Sequence, residues 1–168
     1  TWPELEALSD WARAQGARLH LDGARLWETA PYYQKSYREI CARFDSVYVS
    51  FYKGLGAVGG AMLLGPRSLV DEARVWQRRH GGNLYNLYPL YISAMQGYHD
   101  RLKKIPEYCA KAKEVHELAS AQPAIRVTPT EPQTNMMHFT FDAETSAVED
   151  AFYETARETG VSIGAGLW

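Results

Sequence analysis

The sequence predicts a fold of the α/β or α+β class, and three observations lead to this prediction. Helical and strand-like patterns alternate along the chain, as they do in layered mixed folds. Residues 46–52 are rich in β-branched and aromatic side chains, which strands favour. The chain has 168 residues, about one average domain, and its 46% hydrophobic content suffices for a sizeable core.

The sequence pattern of the first part of the chain predicts four helical segments and three strands. Thr1, Pro3 and Glu4 suit a helix start, because threonine caps helices, proline fits the first turn and an acid favours the positive end of the helix dipole. Pro89 must start or kink the helix in which it lies. In order, we expect a helix at 5–15, a strand at 18–22, a helix at 37–44, strands at 46–52 and 61–64, a helix at 68–79 and a mostly helical stretch at 84–104.

The pattern changes near Pro106, which predicts a boundary between two domains, 1–105 and 106–168. Periodicity in the second part indicates two helices and three short strands. They are a helix at 107–121, strands at 125–127 and 135–141, a helix at 144–159 and a last strand from Val161 onward.

Composition and charge exclude several classes of partner. Lys and Arg number 18 against 20 for Asp and Glu, and this near-neutral balance argues against nucleic acid as the main partner. No apolar run approaches the roughly 20 residues of a membrane helix. Cys41 and Cys109 are too few for a disulfide framework, and their separation does not match a metal-binding spacing.

One glycine-rich segment, residues 54–59, matches the G-x-G-x-x-G pattern of dinucleotide-binding folds and follows a predicted strand. That motif must also open a helix, so that the pyrophosphate meets the helix N-terminus. Here a second strand-like run follows instead. A turn between two strands is therefore the better interpretation, and a nicotinamide-dependent oxidoreductase is a distant alternative.

Two other residues stand at predicted strand exits, where open α/β sheets bind ligands. Asp22 ends the strand at 18–22, and Lys53 directly follows the strand at 46–52. Taken singly, Asp22 could be a helix cap and Lys53 an ordinary turn lysine. Together they fit pyridoxal phosphate (PLP), which is held by a lysine Schiff base while a carboxylate pairs with its pyridinium nitrogen.

These residues lie in segments that resemble a known family. Residues 20–26, His-Leu-Asp-Gly-Ala-Arg-Leu, resemble the H-x-D-G-A-R-x motif of the threonine aldolase and aromatic amino acid β-eliminating lyase family. Residues 50–60 resemble its S-K-G-L-G-A-P-V-G-S segment, with Tyr52 where the family usually has serine. Residues 78–82 and 134–136 resemble later family segments, in the same order.

The resemblance implies a fold and a set of roles. The fold would be PLP-dependent fold type I, with residues 1–105 as part of the large domain and residues 106–168 as part of the small α+β domain. Lys53 would carry the cofactor, Asp22 would pair with its ring nitrogen, and Arg25 would lie near the cofactor and bind the substrate carboxylate. An arginine suits that task because it meets a carboxylate bidentately. The backbone around the lysine would be shaped by Gly54 and Gly56.

The resemblance also implies a reaction. A lyase of the threonine aldolase type would cleave the Cα–Cβ bond of a β-hydroxy amino acid, giving glycine and an aldehyde. The alternatives are β-elimination on the same scaffold, as in tryptophanase-like lyases, and a non-catalytic member of the fold. The expected partners are a small amino acid substrate and further copies of the chain, in a cytoplasmic homodimer or homotetramer.

Family members are considerably longer than this chain. Their phosphate-binding glycine-rich cup and ring-stacking histidine would precede residue 1, and a second carboxylate-binding arginine would follow residue 168. The resemblance therefore predicts that these 168 residues are a segment of a longer protein.

Overall fold

The computed structural model describes residues 1–162, which divide into two units. The first unit is Thr1–Ala110, and the second begins at Lys111. The domain boundary proposed from the sequence falls at the start of the helix that crosses this division, Ile105–Ser120.

The first unit combines helices with three strands. It contains α1 (Trp2–Ala14), β1 (His20–Gly23), a 3-10 turn (Leu26–Glu28), α2 (Ala30–Tyr33), α3 (Tyr37–Cys41), β2 (Ser46–Ser50), β3 (Ala61–Leu64), α4 (Arg67–Arg79), α5 (Tyr88–Arg101), a second 3-10 turn (Leu102–Lys104) and the start of α6 (Ile105–Ser120).

The three strands form one sheet in the order β1-β2-β3. Strands β1 and β2 run parallel, with Asp22 opposite Tyr48, whereas β2 and β3 run antiparallel. The parallel pair brings the carboxyl ends of β1 and β2 to the same edge of the sheet. This edge is where open α/β sheets place their ligands.

The core of the first unit joins β2 to the segments that follow β1. Val47 and Val49 of β2 are 3% exposed, because alternate residues of a strand point to one face. The buried members of this core are Leu26, Trp27, Ile40, Val47, Val49, Leu55, Ile105 and Cys109. Trp27 packs against Tyr37, Phe51 and Tyr98, with ring centroids 5.3 to 6.1 Å apart.

The structure corrects some sequence-based boundaries. Strand β2 ends at Ser50 rather than at residue 52, and the predicted helix at 84–104 begins only at Tyr88, where Pro89 occupies its first turn. The 3-10 turn and α2 were not predicted, because segments of three and four residues are too short for a periodic pattern.

The glycine-rich segment leads into β3, not into a helix. A dinucleotide-binding motif needs a helix N-terminus at this place to receive the pyrophosphate. The structure therefore rules out the dinucleotide interpretation of residues 54–59.

The second unit contains a two-stranded antiparallel sheet and a helix. Strands β4 (Ile125–Thr128) and β5 (His138–Phe141) pair, and α7 (Thr145–Thr159) follows. Phe141 of β5 meets Phe152 of α7 edge to face, at 6.0 Å between ring centroids. The strand predicted from Val161 onward falls almost wholly outside the described residues. Within 1–162, no helix is both long and apolar enough to cross a bilayer.

Candidate active site

The sheet edge formed by β1 and β2 gathers the residues singled out in the sequence. Asp22 lies in β1, one residue before its end, and Lys53 follows the end of β2 by three residues. Because the two strands are parallel neighbours, both residues leave the sheet at the same edge. Arg25 lies in the segment that continues from β1.

Two short hydrogen bonds fix this segment to the end of β2. The Ser50 hydroxyl donates to the Ala24 carbonyl oxygen at 2.7 Å, and the Trp27 indole N–H donates to the Ser50 carbonyl oxygen at 2.7 Å. Ser50 is fully buried, so water does not compete for these bonds. They hold the backbone on either side of Arg25 beside the strand that leads to Lys53.

Asp22 and Arg25, the acidic and the basic group at the exit of β1, have different surroundings. Asp22 is exposed, and its Oδ1 accepts a hydrogen bond from the Ala24 backbone N–H at 3.1 Å. This bond orients the carboxylate and leaves Oδ2 open to a donor. Arg25 has 39% of its side chain exposed, and its Nη1 lies 4.0 Å from Oε1 of Glu28.

Lys53 is exposed and stands beside Tyr52, which in turn contacts Tyr48. Its Nζ lies 5.9 Å from the centre of the Tyr52 ring, within the range of a cation–π contact. The Tyr52 and Tyr48 hydroxyl groups are 3.3 Å apart. This hydrogen bond is the leading cause of a raised pKa at Tyr48. Tyr48 therefore holds its phenolic proton more tightly than an ordinary tyrosine does.

The glycines after Lys53 suit their positions, Gly54 because of a close contact and Gly56 because of its backbone conformation. A Cβ on Gly54 would overlap the carboxylate of Glu28. Gly56 has φ +62°, and a Cβ there would overlap the guanidinium of Arg101. Leu55, between them, is fully buried. The Lys53 turn thus lies between Glu28 and Arg101.

Glu28 is a residue of this site that the sequence analysis missed. Its side chain is 0% exposed, and neither carboxylate oxygen has a hydrogen-bond partner of ordinary geometry among residues 1–162. Burial raises its pKa above the usual carboxyl range, and its own backbone N–H and the charges of Arg25 and Lys53 lower it only in part. The available sequence signal was an acid inside an apolar run, three residues after Arg25.

Two cavities lie near these residues. An apolar groove of about 570 Å³ is lined by Trp27, Phe51 and Tyr98 among others, but by none of Asp22, Arg25 and Lys53. A smaller cavity of about 180 Å³ reaches Asp22 and Arg25 but not Lys53. The larger groove lacks the convergent polar groups of a catalytic site, so we place the site at the sheet edge instead.

The groups at this edge fit PLP chemically. A primary amine, an exposed carboxylate with one oxygen open, and a half-buried guanidinium leave neighbouring strands together. These are the groups needed to hold the cofactor carbonyl, its ring nitrogen and a carboxylate. Among the described residues, no cluster of three or more His, Cys, Asp or Glu is arranged to hold a metal ion.

Comparison with known proteins agrees with this arrangement. The fold is that of PLP-dependent enzymes of fold type I. The family model described as "Beta-eliminating lyase" matches residues 1–142, and the chain belongs to this family, whose members are PLP-dependent lyases. The family and the fold expected from residues 20–26 and 50–60 are thereby confirmed.

Three relatives illustrate the likeness. A structure assigned as an L-allo-threonine aldolase from Listeria monocytogenes has a TM-score of 0.93 and 45% identity, over 97% of this chain and 45% of that one. A structure assigned as an aromatic amino acid beta-eliminating lyase/threonine aldolase from Exiguobacterium has a TM-score of 0.94 and 43% identity, over 98% and 47%. A probable low-specificity L-threonine aldolase from Schizosaccharomyces pombe is 34% identical over 80% of this chain and 35% of its own length. The chain thus spans less than half of each relative.

Proposed function

We propose that this chain is the lysine-bearing part of a PLP-dependent lyase that cleaves the Cα–Cβ bond of a β-hydroxy amino acid. The products would be glycine and an aldehyde. The observation that carries the proposal is the exit of Asp22, Arg25 and Lys53 at one sheet edge, from two parallel strands. The threonine aldolase relatives support this reaction over others of the fold.

Each of the three residues has a separate task in this proposal. Lys53 holds the cofactor covalently through its amine, and Asp22 uses the open carboxylate oxygen to keep the pyridine nitrogen protonated. Arg25 receives the substrate carboxylate through its exposed guanidinium face. The bound cofactor supplies an electron sink for the electron pair left at Cα when the bond breaks. Gly54 and Gly56 keep the turn narrow enough to pass between Glu28 and Arg101.

The second candidate is β-elimination on the same residues. The description of the matching family, "Beta-eliminating lyase", favours this reaction. The two reactions differ in the bond broken at Cβ: elimination expels a leaving group, whereas aldol cleavage releases an aldehyde. Incubation with L-threonine and L-allo-threonine should yield glycine, whereas accumulation of a 2-oxo acid would favour elimination.

The cofactor can be tested directly on the full-length protein. Addition of PLP should produce a visible absorbance band, and borohydride should convert it to a stable adduct. Digestion and mass spectrometry should then place the label on the peptide that contains Lys53. Absence of the band, or a label on another lysine, would contradict the proposal and favour a non-catalytic member of the fold.

We expect Asp22→Asn to reduce kcat while leaving the fold intact. The neutral amide cannot stabilise a proton on the pyridine nitrogen. Loss of a neighbouring carboxylate lowers the pKa of such a nitrogen by about 1–3 units, so we expect kcat to fall roughly 10- to 1,000-fold. Steady-state kinetics of glycine formation measure it. Asp71→Asn is the matched control, because Asp71 is exposed on α4 and, among residues 1–162, forms an ion pair with Arg67 alone. Unchanged kcat in Asp22→Asn would remove Asp22 from the site.

The assembly and location belong to the same proposal. We propose a homodimer or homotetramer in the cytoplasm. Tyr85, Tyr88 and Tyr91 are strongly exposed in this chain, which suits burial against more protein. Light scattering of the full-length protein should give two or four copies, and fractionation should recover it with cytoplasmic markers.

A further inference from the structure

Glu28 is the most deeply buried ionisable group at the sheet edge, and the proposed reaction does not use it. Its side chain is fully enclosed in the described structure, and its oxygens have no hydrogen-bond partner of ordinary geometry there. Burying a carboxylate in this way costs stability unless the charge is compensated. A residue that only had to fill this space would be apolar, so the carboxylate calls for another explanation.

The groups around Glu28 come from four parts of the first unit. Arg25 immediately precedes the 3-10 turn that ends at Glu28, and its Nη1 lies 4.0 Å from Oε1 of Glu28. The Lys53 turn lies against it at Gly54. On α3, Tyr37 has its pKa raised to about 12 by burial first and by Glu28 second. On α6, the Cys109 thiol donates to the Glu28 carbonyl oxygen at 3.8 Å. Among residues 1–162, Arg25 and Lys53 are the cations whose charges act on this carboxylate and lower its pKa.

We propose that Glu28 is a positioning residue that acts through Arg25 and the Lys53 turn. Its charge holds the guanidinium of Arg25 at the mouth of the site, where a substrate carboxylate meets it. Its carboxylate packs against the Lys53 turn at Gly54 and fixes the position of that turn. The inference rests on the proposed function, since it assigns Arg25 to substrate binding. The proposal predicts that the Glu28 carboxylate strengthens ligand binding and lowers the stability of the fold.

This trade between binding and stability has a definite pH dependence. Because burial raises the pKa of Glu28 in the folded state, the folded protein takes up a proton more readily than the unfolded chain. The protonated form of Glu28 therefore contributes favourably to the free energy of unfolding. This contribution is complete below the ordinary carboxyl pKa and is lost as the pH rises through the pKa of Glu28 in the folded state. Glu28→Gln, which resembles the protonated form, should therefore gain stability relative to the wild type as the pH rises toward neutrality.

The experiment compares Glu28→Gln with the wild type in two measurements on the full-length protein. Glycine, which carries the carboxylate but cannot be cleaved at Cβ, is titrated into the PLP-loaded enzyme, and its Kd is read from the cofactor absorbance. We expect the Kd to rise about tenfold, with kcat for L-threonine changing less than KM. The cofactor-free variant should melt about 2–4 °C above the wild type near pH 7.5, and this difference should vanish toward pH 4.

Glu39→Gln is the matched control, because it makes the same change at an exposed carboxylate. Hydrogen bonds from Ser36 lower the pKa of Glu39, so the charged carboxylate stabilises the fold near neutral pH. Glu39→Gln should therefore reduce stability at that pH and leave glycine binding unchanged. A purely structural role for Glu28 would lower the melting temperature and leave the Kd unchanged, which would overturn the inference. If the wild type itself lacks a Lys53 adduct after borohydride, the proposed function fails, and that result is distinct from either outcome for Glu28.

Discussion

Lys53→Ala should abolish covalent cofactor attachment and lower the rate of amino acid cleavage by about a thousandfold or more, because both a nucleophile and a proton carrier disappear. The side chain is exposed, so its removal should not disturb folding. Borohydride should then leave no label on the peptide that contains residue 53. Unchanged melting behaviour would show that the loss is chemical.

Two variants make the Lys53 experiment specific. Lys53→Arg keeps the positive charge and the contact with the Tyr52 ring but cannot form the covalent bond, so it should be as inactive as Lys53→Ala. Lys103→Ala removes an exposed lysine from the 3-10 turn after α5 and should retain full activity. Substantial cleavage by Lys53→Arg would contradict the assignment of the lysine.

Gly97→Ala should destabilise the protein, although alanine is the better helix former. Gly97 lies in α5, where alanine would gain about 1 kcal/mol of helix propensity over glycine. However, a Cβ at this position would overlap the backbone carbonyl of Leu55. Backbone cannot rotate away as a side chain can, so the overlap should outweigh the gain and leave a net loss of about 1–3 kcal/mol.

The same substitution should affect cofactor binding, because Leu55 belongs to the turn that carries Lys53. Displacement of this turn moves the lysine, so we expect a lower melting temperature together with weaker PLP binding. Both are measured on one preparation by thermal melts with and without the cofactor. Gln96→Ala, at an exposed position one residue earlier in α5, should change neither property. A more stable Gly97→Ala protein would show that α5 is free to move away from the turn.

Periodicity predicted the longer elements well, since regular patterns over many residues leave few alternatives. The helices predicted at 68–79 and 144–159 agree with α4 and α7 to within one residue at each end. The strand containing Ser50 was drawn two residues too long, because Phe51 and Tyr52 have strand propensity although the backbone there already turns. Local propensity could not reveal that the chain bends at this point.

The candidate site was predicted in part. Asp22, Arg25 and Lys53 were recognisable because their motifs stand at strand exits, and the roles assigned to them stay predictions. Glu28 and Arg101 were not recognisable, since their importance depends on contacts with glycines far away in the sequence. An acid beside apolar residues was the one trace of Glu28 in the sequence, and burial against distant backbone leaves no periodic pattern.

The dependence of the Lys53 turn on α5 has a consequence for synthesis of the protein. Leu55 rests against Gly97, and Gly56 lies against Arg101. While the chain is being made, residues 53–56 emerge long before the helix that supports them. We therefore expect the lysine to reach its final place only after translation has passed residue 101. A ribosome paused earlier would carry a nascent chain that is unable to retain PLP.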